Sequence, residues 1–391
     1  KWVLNAVASE DKPLVVIGVP GDGGELPVIS GDGAVTRLEL DYWNESRSVL
    51  KVGGSSIPAE SVIPSWIYIE DLDIRSAYVD YSFTDDAGNT SIYSDNAAAV
   101  HVEVGRNITV RGCVLTDSGN GLFSGSDSID LHIIGNHIYG NGVVGNVYEH
   151  NSYTESEGIL FEANRYGALR DGAEGNNLKD RSSGTVIRYN WIEGGNRQLD
   201  LVDSGHQDLI DRDDYRETWV VGNVLIEPDG AGNSQIVHYG GDSGDTSRYR
   251  AGTLYFHHNT VVSHRTGNTT LVRLSTGDER IEARNNLLYA VGTLGIVDED
   301  GDAVLEGNWL QDGWVEAVTG ATGTVSDLGN LTGTDPGFVD PAGQDFSLGS
   351  GAGCVDAGVS LSEPVTGQYV PHQGLTVRSD DGSPDCGALE R

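Results

Sequence analysis

Val220-Val221-Gly222-Asn223-Val224-Leu225 is followed, one winding later, by Phe256-His257-His258-Asn259-Thr260-Val261, and the shared frame, apolar-x-x-Asn-x-apolar, decides the fold. The same frame stands at Ile133–Ile138 around Asn136, at Phe161–Asn164, and at Ile187–Ile192 around Asn190. It returns at Ile281–Leu287 with Asn285 and Asn286, and at Leu305–Leu310 around Asn308. In the related segment Ile108–Val114, Cys113 stands near the Asn position. Asparagine tolerates the left-handed backbone of a tight corner, and its amide both donates and accepts, so Asn repeated at a bend predicts a hydrogen-bonded ladder along a stack of coils. Successive copies lie 22 to 36 residues apart. That spacing is too uneven for a helical repeat but natural for β-coils that carry insertions on one side.

The expected fold is therefore all-β, a single-stranded right-handed parallel β-helix with an N-terminal cap. Residues 1–330 read as the coil stack with its cap, and residues 331–391 as a loop-rich tail packing on it, together one structural domain, because a solenoid grows along one axis without a boundary. Composition agrees: 54 glycines and short β-branched runs leave almost no helical periodicity in the 391 residues. The widest gaps, 190 to 223 and 223 to 259, predict long loops that wall a groove over the middle of the stack.

A formal net charge of −35 excludes general electrostatic affinity for nucleic acid or an anionic membrane. So acidic a chain with so few lysines also fits adaptation to high salt, where repulsion is screened. No stretch approaches a membrane span, and a secreted or periplasmic location is expected. Cys354 and Cys386 are candidates to pair, and Cys113 reads as a buried thiol.

A second set of strand-like segments lies between the Asn corners: 98–102, 121–124, 150–153, 177–180, 199–203, 235–239 and 270–274. Stacked about 4.8 Å apart with alternate side chains outward, they would set Tyr153, Lys179, Asp200, His238 and Arg273 in one outer column. Lysine occurs only at positions 1, 12, 51 and 179. Lys179 is the one in mid-chain, and Arg165, Arg170, Arg181, Arg188 and Arg197 cluster around it on an otherwise acidic protein. A solvated surface lysine is the commoner case. A basic patch on an acidic body instead points to an anionic ligand.

With a uronate-bearing polysaccharide as that ligand, β-elimination needs a cation for the sugar carboxylate, a base for the adjacent carbon-bound proton and an acid for the leaving oxygen. Lys179, its neutral amine favoured by the like charge of Arg181, suits the base. Arg181 or Arg197 suits the carboxylate, Tyr153 or His150 the proton shuttle, and Asn177 an orienting role. Asp200, His238, Tyr239 and Arg273 complete the expected substrate-binding set. Asp200 and Asp203 near Asp171 carry the rival reading, glycoside hydrolysis by paired carboxylates, although solvated or ion-paired Asp is the commoner explanation. A non-catalytic carbohydrate-binding solenoid is the second rival.

No metal or other cofactor is expected. Asp298–Asp302 has the outline of a calcium loop but lacks its closing bidentate Glu. His257-His258 has no metal-ligand spacing, and Trp191, Trp219 and Trp309 fit core and sugar platform equally.

Several segments together resemble a known group. Asp335-Pro336-Gly337-Phe338-Val339-Asp340, Asp345–Leu348, Val355–Gly358 and Asp385–Glu390 resemble the terminal signature of secreted right-handed β-helix proteins that act on polysaccharides. Tyr148–Tyr153 and Gly175–Ser183 resemble their His-x-x-Tyr and Lys-x-Arg segments. Polysaccharide lyases of this fold pair a Lys with an Arg or Tyr, which the resemblance carries onto Lys179, Arg181 or Arg197, and Tyr153. The chain departs from calcium-dependent members, since Glu174 stands without a second Glu ligand before Lys179.

Overall fold

The computed structural model describes residues 1–40, 42–54, 62–379 and 382–391. The chain forms two compact units, 1–183 and 184–391. Each is a stack of parallel β-coils with three sheets, the architecture of a right-handed parallel β-helix. In the first unit, the sheet that matters below runs Trp2–Leu4, Ser48–Val52, Ala98–Val102, Asn120–Ser124, Ser152–Thr154, Leu178–Asp180. In the second, the corresponding order is Leu199–Leu201, Gln235–Tyr239, Thr269–Leu274, Leu294–Glu299. Seven of these ten strands fall on the segments expected from the sequence; Trp2–Leu4, Ser48–Val52 and Leu294–Glu299 extend the sheet beyond them. Alternation sends Leu122, Leu178, Leu199, Val237 and Val272 into the coil interior, all fully buried.

The Asn ladder forms in both units. In the first, Asn136 Nδ2 donates to Asn164 Oδ1 at 3.0 Å, and the Cys113 backbone N–H takes Asn136 Oδ1 at 2.9 Å. Cys113 thus occupies an Asn place in the coil, and burial pushes its thiol up to about 12. In the second, side-chain amides link Asn190 to Asn223 (2.9 Å), Asn223 to Asn259 (3.0 Å), Asn259 to Asn286 (3.2 Å), Asn286 to Asn308 (2.8 Å) and Asn308 to Asn330 (2.8 Å).

One detail of the expectation is corrected. The left-handed residue is not the ladder asparagine but the one before it: Gly135, Ala163, Tyr189, Gly222, His258, Asn285 and Gly307 all have positive φ. Bending one residue earlier turns the following side chain inward, where its amide meets the coils on either side. Ala163, Tyr189 and His258 bear the cost of that conformation, about 1 kcal/mol each, which the ladder bonds offset.

The long windings of the second unit carry short helices, Gln207–Ile210 and Asp213–Arg216 in one and Thr246–Arg248 in the next. The tail contributes two antiparallel hairpins, Phe338–Asp340 with Asp345–Leu348 and Gly367–Val370 with Gly374–Val377. Phe346, Tyr369 and Ala388 pack on Trp191, Val224, Ile226 and Val262. Trp191 is therefore a buried anchor for the tail, stacked on Phe346 at 5.6 Å. Trp309 lies beneath the tail with Leu348, Cys354 and Cys386. The two cysteines meet as expected but as thiols: the Cys386 backbone N–H donates to Cys354 O at 3.0 Å, and a hydrogen bond from Cys386 together with burial raises the Cys354 thiol far above its ordinary value. Among the described residues no helix is long and apolar enough to cross a membrane.

Glu227 is fully buried, hydrogen-bonded through Oε2 to the Gln198 amide, while its Oε1 faces Arg265 at 3.7 Å. Burial pushes its carboxyl up from 4.5 to about 8. Between those values the folded chain holds a proton that the unfolded chain has released, so this group makes stability fall as pH rises from 4.5 to about 8. Glu227→Gln is expected to leave stability unchanged at pH 4 and to raise it by about 2–4 kcal/mol at pH 8, less than the full shift because the site relaxes. Urea melts of both proteins across that range check this; a gap that does not widen with pH refutes it.

Candidate active site

In the first unit the outer face of the site-bearing sheet brings Tyr153, Lys179, Arg181 and His150 together. Tyr153 and Lys179 are register partners on adjacent strands. The Lys179 ammonium lies 5.9 Å from the Tyr153 ring centre, and the side chain is only 6% exposed. Two residues further on, Arg181 reaches back so that its Nε–H donates to the Tyr153 hydroxyl oxygen at 3.0 Å. Within the strand Leu178–Asp180, alternation turns Asp180 inward, where it accepts the Thr154 and Ser182 hydroxyls at 2.7 Å each, while Arg181, just past the strand end, returns to the face of Lys179 through its bond to Tyr153.

His150 sits edge-on to the Tyr153 ring at 5.3 Å. Its Nδ1 accepts the Asn176 backbone N–H at 2.9 Å, which places the proton of the neutral ring on Nε2. The ring is buried against Tyr153.

Asn177 does not join this face. It precedes the strand, at a corner, and its amide belongs to a second interior ladder: Asn141 donates to Asn151 at 3.0 Å, Asn151 to Asn177 at 2.8 Å, and Asn177 to Gly167 O at 3.1 Å. The expected orienting role fails because residues i and i+2 share a face only within a strand, and this strand begins at Leu178.

In the second unit Asp200, His238 and Arg273 form a register column, Asp200 with His238 and His238 with Arg273. His238 is locked at both nitrogens, Nδ1 to Asp200 at 2.8 Å and Nε2 to the Ser275 hydroxyl at 2.9 Å. Ser275 has the spacing of a nucleophile beside a base. Its oxygen, however, accepts Gly241 N–H at 3.0 Å and is hemmed by the carbonyls of Gly241 (3.1 Å) and Tyr239 (3.4 Å), which fits a positioning hydroxyl.

Arg273 pairs with Glu299 at 2.8 Å. Arg197 donates twice to Gln235 Oε1, at 3.0 and 2.6 Å, and burial lowers its guanidinium against the pull of Asp200. Tyr239 turns into the coil and is fully buried, so the expected ligand contact is corrected: it neighbours outward His238 and alternation sends it inward.

Two of the carboxylates of the hydrolase reading, Asp200 and Asp203, hold protein groups, while Asp171 is exposed in the first unit. Asp200 holds His238, and Asp203 accepts the backbone N–H groups of Asp242 (2.7 Å) and Ser243 (3.3 Å), fastening a loop. Asp298, in the calcium-like run, accepts from Gln235 and Thr319. Trp219 points outward but lies flat on Tyr255, ring centres 4.1 Å apart.

Sequence reading passed over Phe123 and His101. Both follow from carrying the Tyr153 position back one and two coils, since Phe123 is the register partner of Tyr153 and of His101. Arg47 carried no such signal.

No family model matches the chain, and no curated protein matches it. Among solved structures, the crystal structure of pectate lyase Pel9A is similar over 100% of this chain and 85% of that one, at 11% identity and a TM-score of 0.46.

Proposed function

We propose that the protein cleaves a uronate-containing polysaccharide by β-elimination at the Tyr153–Lys179–Arg181 cluster. The observation that carries this reading is the Arg181 N–H on the Tyr153 hydroxyl oxygen, with Lys179 in register beside the same ring. Because that oxygen accepts from Arg181, the phenolic proton is directed away from the guanidinium and toward whatever lies above the sheet. Lys179, as the neutral amine, takes the proton from the carbon next to the sugar carboxylate. Electrons move into a carbon–carbon double bond, the glycosidic C–O bond breaks, and Tyr153 gives its proton to the leaving oxygen. Arg181 meets the carboxylate, whose charge grows as the carbon loses its proton. Solvent then resets the ammonium and phenolate.

The test is incubation with alginate, pectate, hyaluronan, chondroitin, ulvan and bacterial exopolysaccharides in high salt, followed by ultraviolet absorbance. An unsaturated uronate end supports elimination. New non-reducing ends that are saturated, without the absorbing double bond, mean hydrolysis, and binding without cleavage means a carbohydrate-binding solenoid.

Within this reading Tyr153→Phe is expected to lower kcat by about 10²–10³ while KM changes little, since it removes an acid used only in the transition state. Steady-state kinetics on the cleaved polymer check this, and an unchanged kcat removes Tyr153 from the acid role.

A further inference from the structure

The column that holds Tyr153 and Lys179 continues through the first unit. Lys51, His101, Phe123, Tyr153 and Lys179 are successive register partners on adjacent strands. Their rings touch in sequence: His101 stands edge-on to Phe123 at 5.0 Å, and Phe123 is tilted against Tyr153 at 5.3 Å. Over Phe123 lies Arg47, its guanidinium carbon 5.0 Å from the ring centre. The Arg47 Nε is buried without a hydrogen-bond partner among the described residues, and so is Nδ1 of His101, a side chain only 4% exposed. Glu103, the carboxylate whose charge acts on Arg47, is already paired with Lys51. The half-buried Arg47 thus holds its guanidinium over an aromatic ring, and Nδ1 of His101, which feels its charge, lacks a partner among the described residues.

We infer that Phe123, Arg47 and His101 form a second saccharide subsite, which binds the carboxylate of a sugar near the one that reacts at Lys179. The inference rests on the elimination reading for its substrate class and adds a position at which the polymer is read. Phe123 is two strand spacings from Lys179, on the order of 10 Å, a span that neighbouring rings of one polysaccharide chain bridge. The aromatic edge offers a surface for the apolar side of a sugar, and the planar guanidinium matches a carboxylate with two parallel N–H groups. Arg47 acts through binding, so its effect falls on affinity and specificity.

The test measures binding by calorimetry, using tetramers of galacturonate, mannuronate, guluronate and glucuronate and the methyl ester of each. Wild type and Arg47→Gln are compared, Arg47→Lys serves as the conservative variant, and melting temperature is followed throughout. Wild type is expected to bind at least one free-acid tetramer more than tenfold better than its ester. Arg47→Gln is expected to lose about tenfold or more for the acid and nothing for the ester, with KM raised and kcat held on any polymer that is cleaved. Arg47→Lys restores part of the loss.

If Arg47 only packs on Phe123, Arg47→Gln lowers the melting temperature while the preference for acid over ester persists; that overturns the subsite and leaves elimination standing. Binding that depends on Arg47 without cleavage by wild type keeps the subsite and sinks elimination. Failure of wild type to bind any of the acids overturns the subsite outright.

Discussion

Lys179→Arg is expected to abolish turnover, with kcat falling by about 10³ or more while the fold survives. A positioned general base contributes roughly 10²–10⁴ in rate, and arginine keeps the charge of lysine but cannot give up its proton near neutral pH. The substitution places a permanent positive charge beside Tyr153, whose ring centre lies 5.9 Å from Lys179 Nζ, so ground-state attraction of an anionic polymer is at least as strong and KM does not rise. This separates the base role from a merely electrostatic one. The bulkier fork must fit where the lysine is already buried. Lys179→Ala therefore serves as a second variant, with recovery of turnover on adding methylamine or ethylamine as its readout. Product formation by Lys179→Arg at the wild-type rate removes Lys179 from the base role, and absence of amine rescue in a folded Lys179→Ala argues the same way.

Asn223→Ala is expected to cost about 4 kcal/mol of stability. Asn223 is fully buried in mid-ladder. Its Oδ1 accepts both the backbone and side-chain N–H of Asn190, each at 2.9 Å, and its Nδ2 donates to Ile187 O at 2.9 Å and Asn259 Oδ1 at 3.0 Å. Alanine removes four buried hydrogen bonds at once; Asn190 Nδ2 keeps Arg188 O and Asn259 Oδ1 keeps the backbone N–H of residue 223, so the full penalty, roughly 1–3 kcal/mol each, falls on the Asn190 backbone N–H and Ile187 O. Asn330→Ala provides the contrast. Asn330 closes the same ladder at a half-buried position, where solvent takes over the freed Asn308 groups, and a loss of about 1 kcal/mol is expected. Urea unfolding of both variants checks the pair. A loss under 1 kcal/mol at Asn223 would show that the ladder is dispensable to stability.

The coil stack was legible because its rule is local. An apolar-x-x-Asn-x-apolar frame states, within six residues, which side chain turns inward at a corner, and the repetition of that frame states that coils stack. Even Cys113, read from the same frame, took its place under Asn136. Asn330 escaped because its frame, Leu328-Gly329-Asn330-Leu331, lacks the usual flanking strand pattern, yet it completes the ladder. The candidate site was legible in part. Tyr153 and Lys179 met because strand alternation and coil register suffice to place them, whereas Asn177 and Tyr239 were misplaced by the start of a strand and by the direction of one alternation.

The amino-acid order by itself determined the class of fold, the inward and outward faces of most strands, and the isolation of one lysine among arginines in an acidic chain. These properties depend on near neighbours and on period, which sequence displays directly. Only the tertiary structure decided that Arg181 reaches back to the Tyr153 hydroxyl, that Asp200 and Ser275 clamp His238 from both sides, and that Arg47 lies over Phe123. Those contacts depend on rotamers and on loops whose length fixes where a side chain arrives, and neither is written in the spacing of residues along the chain.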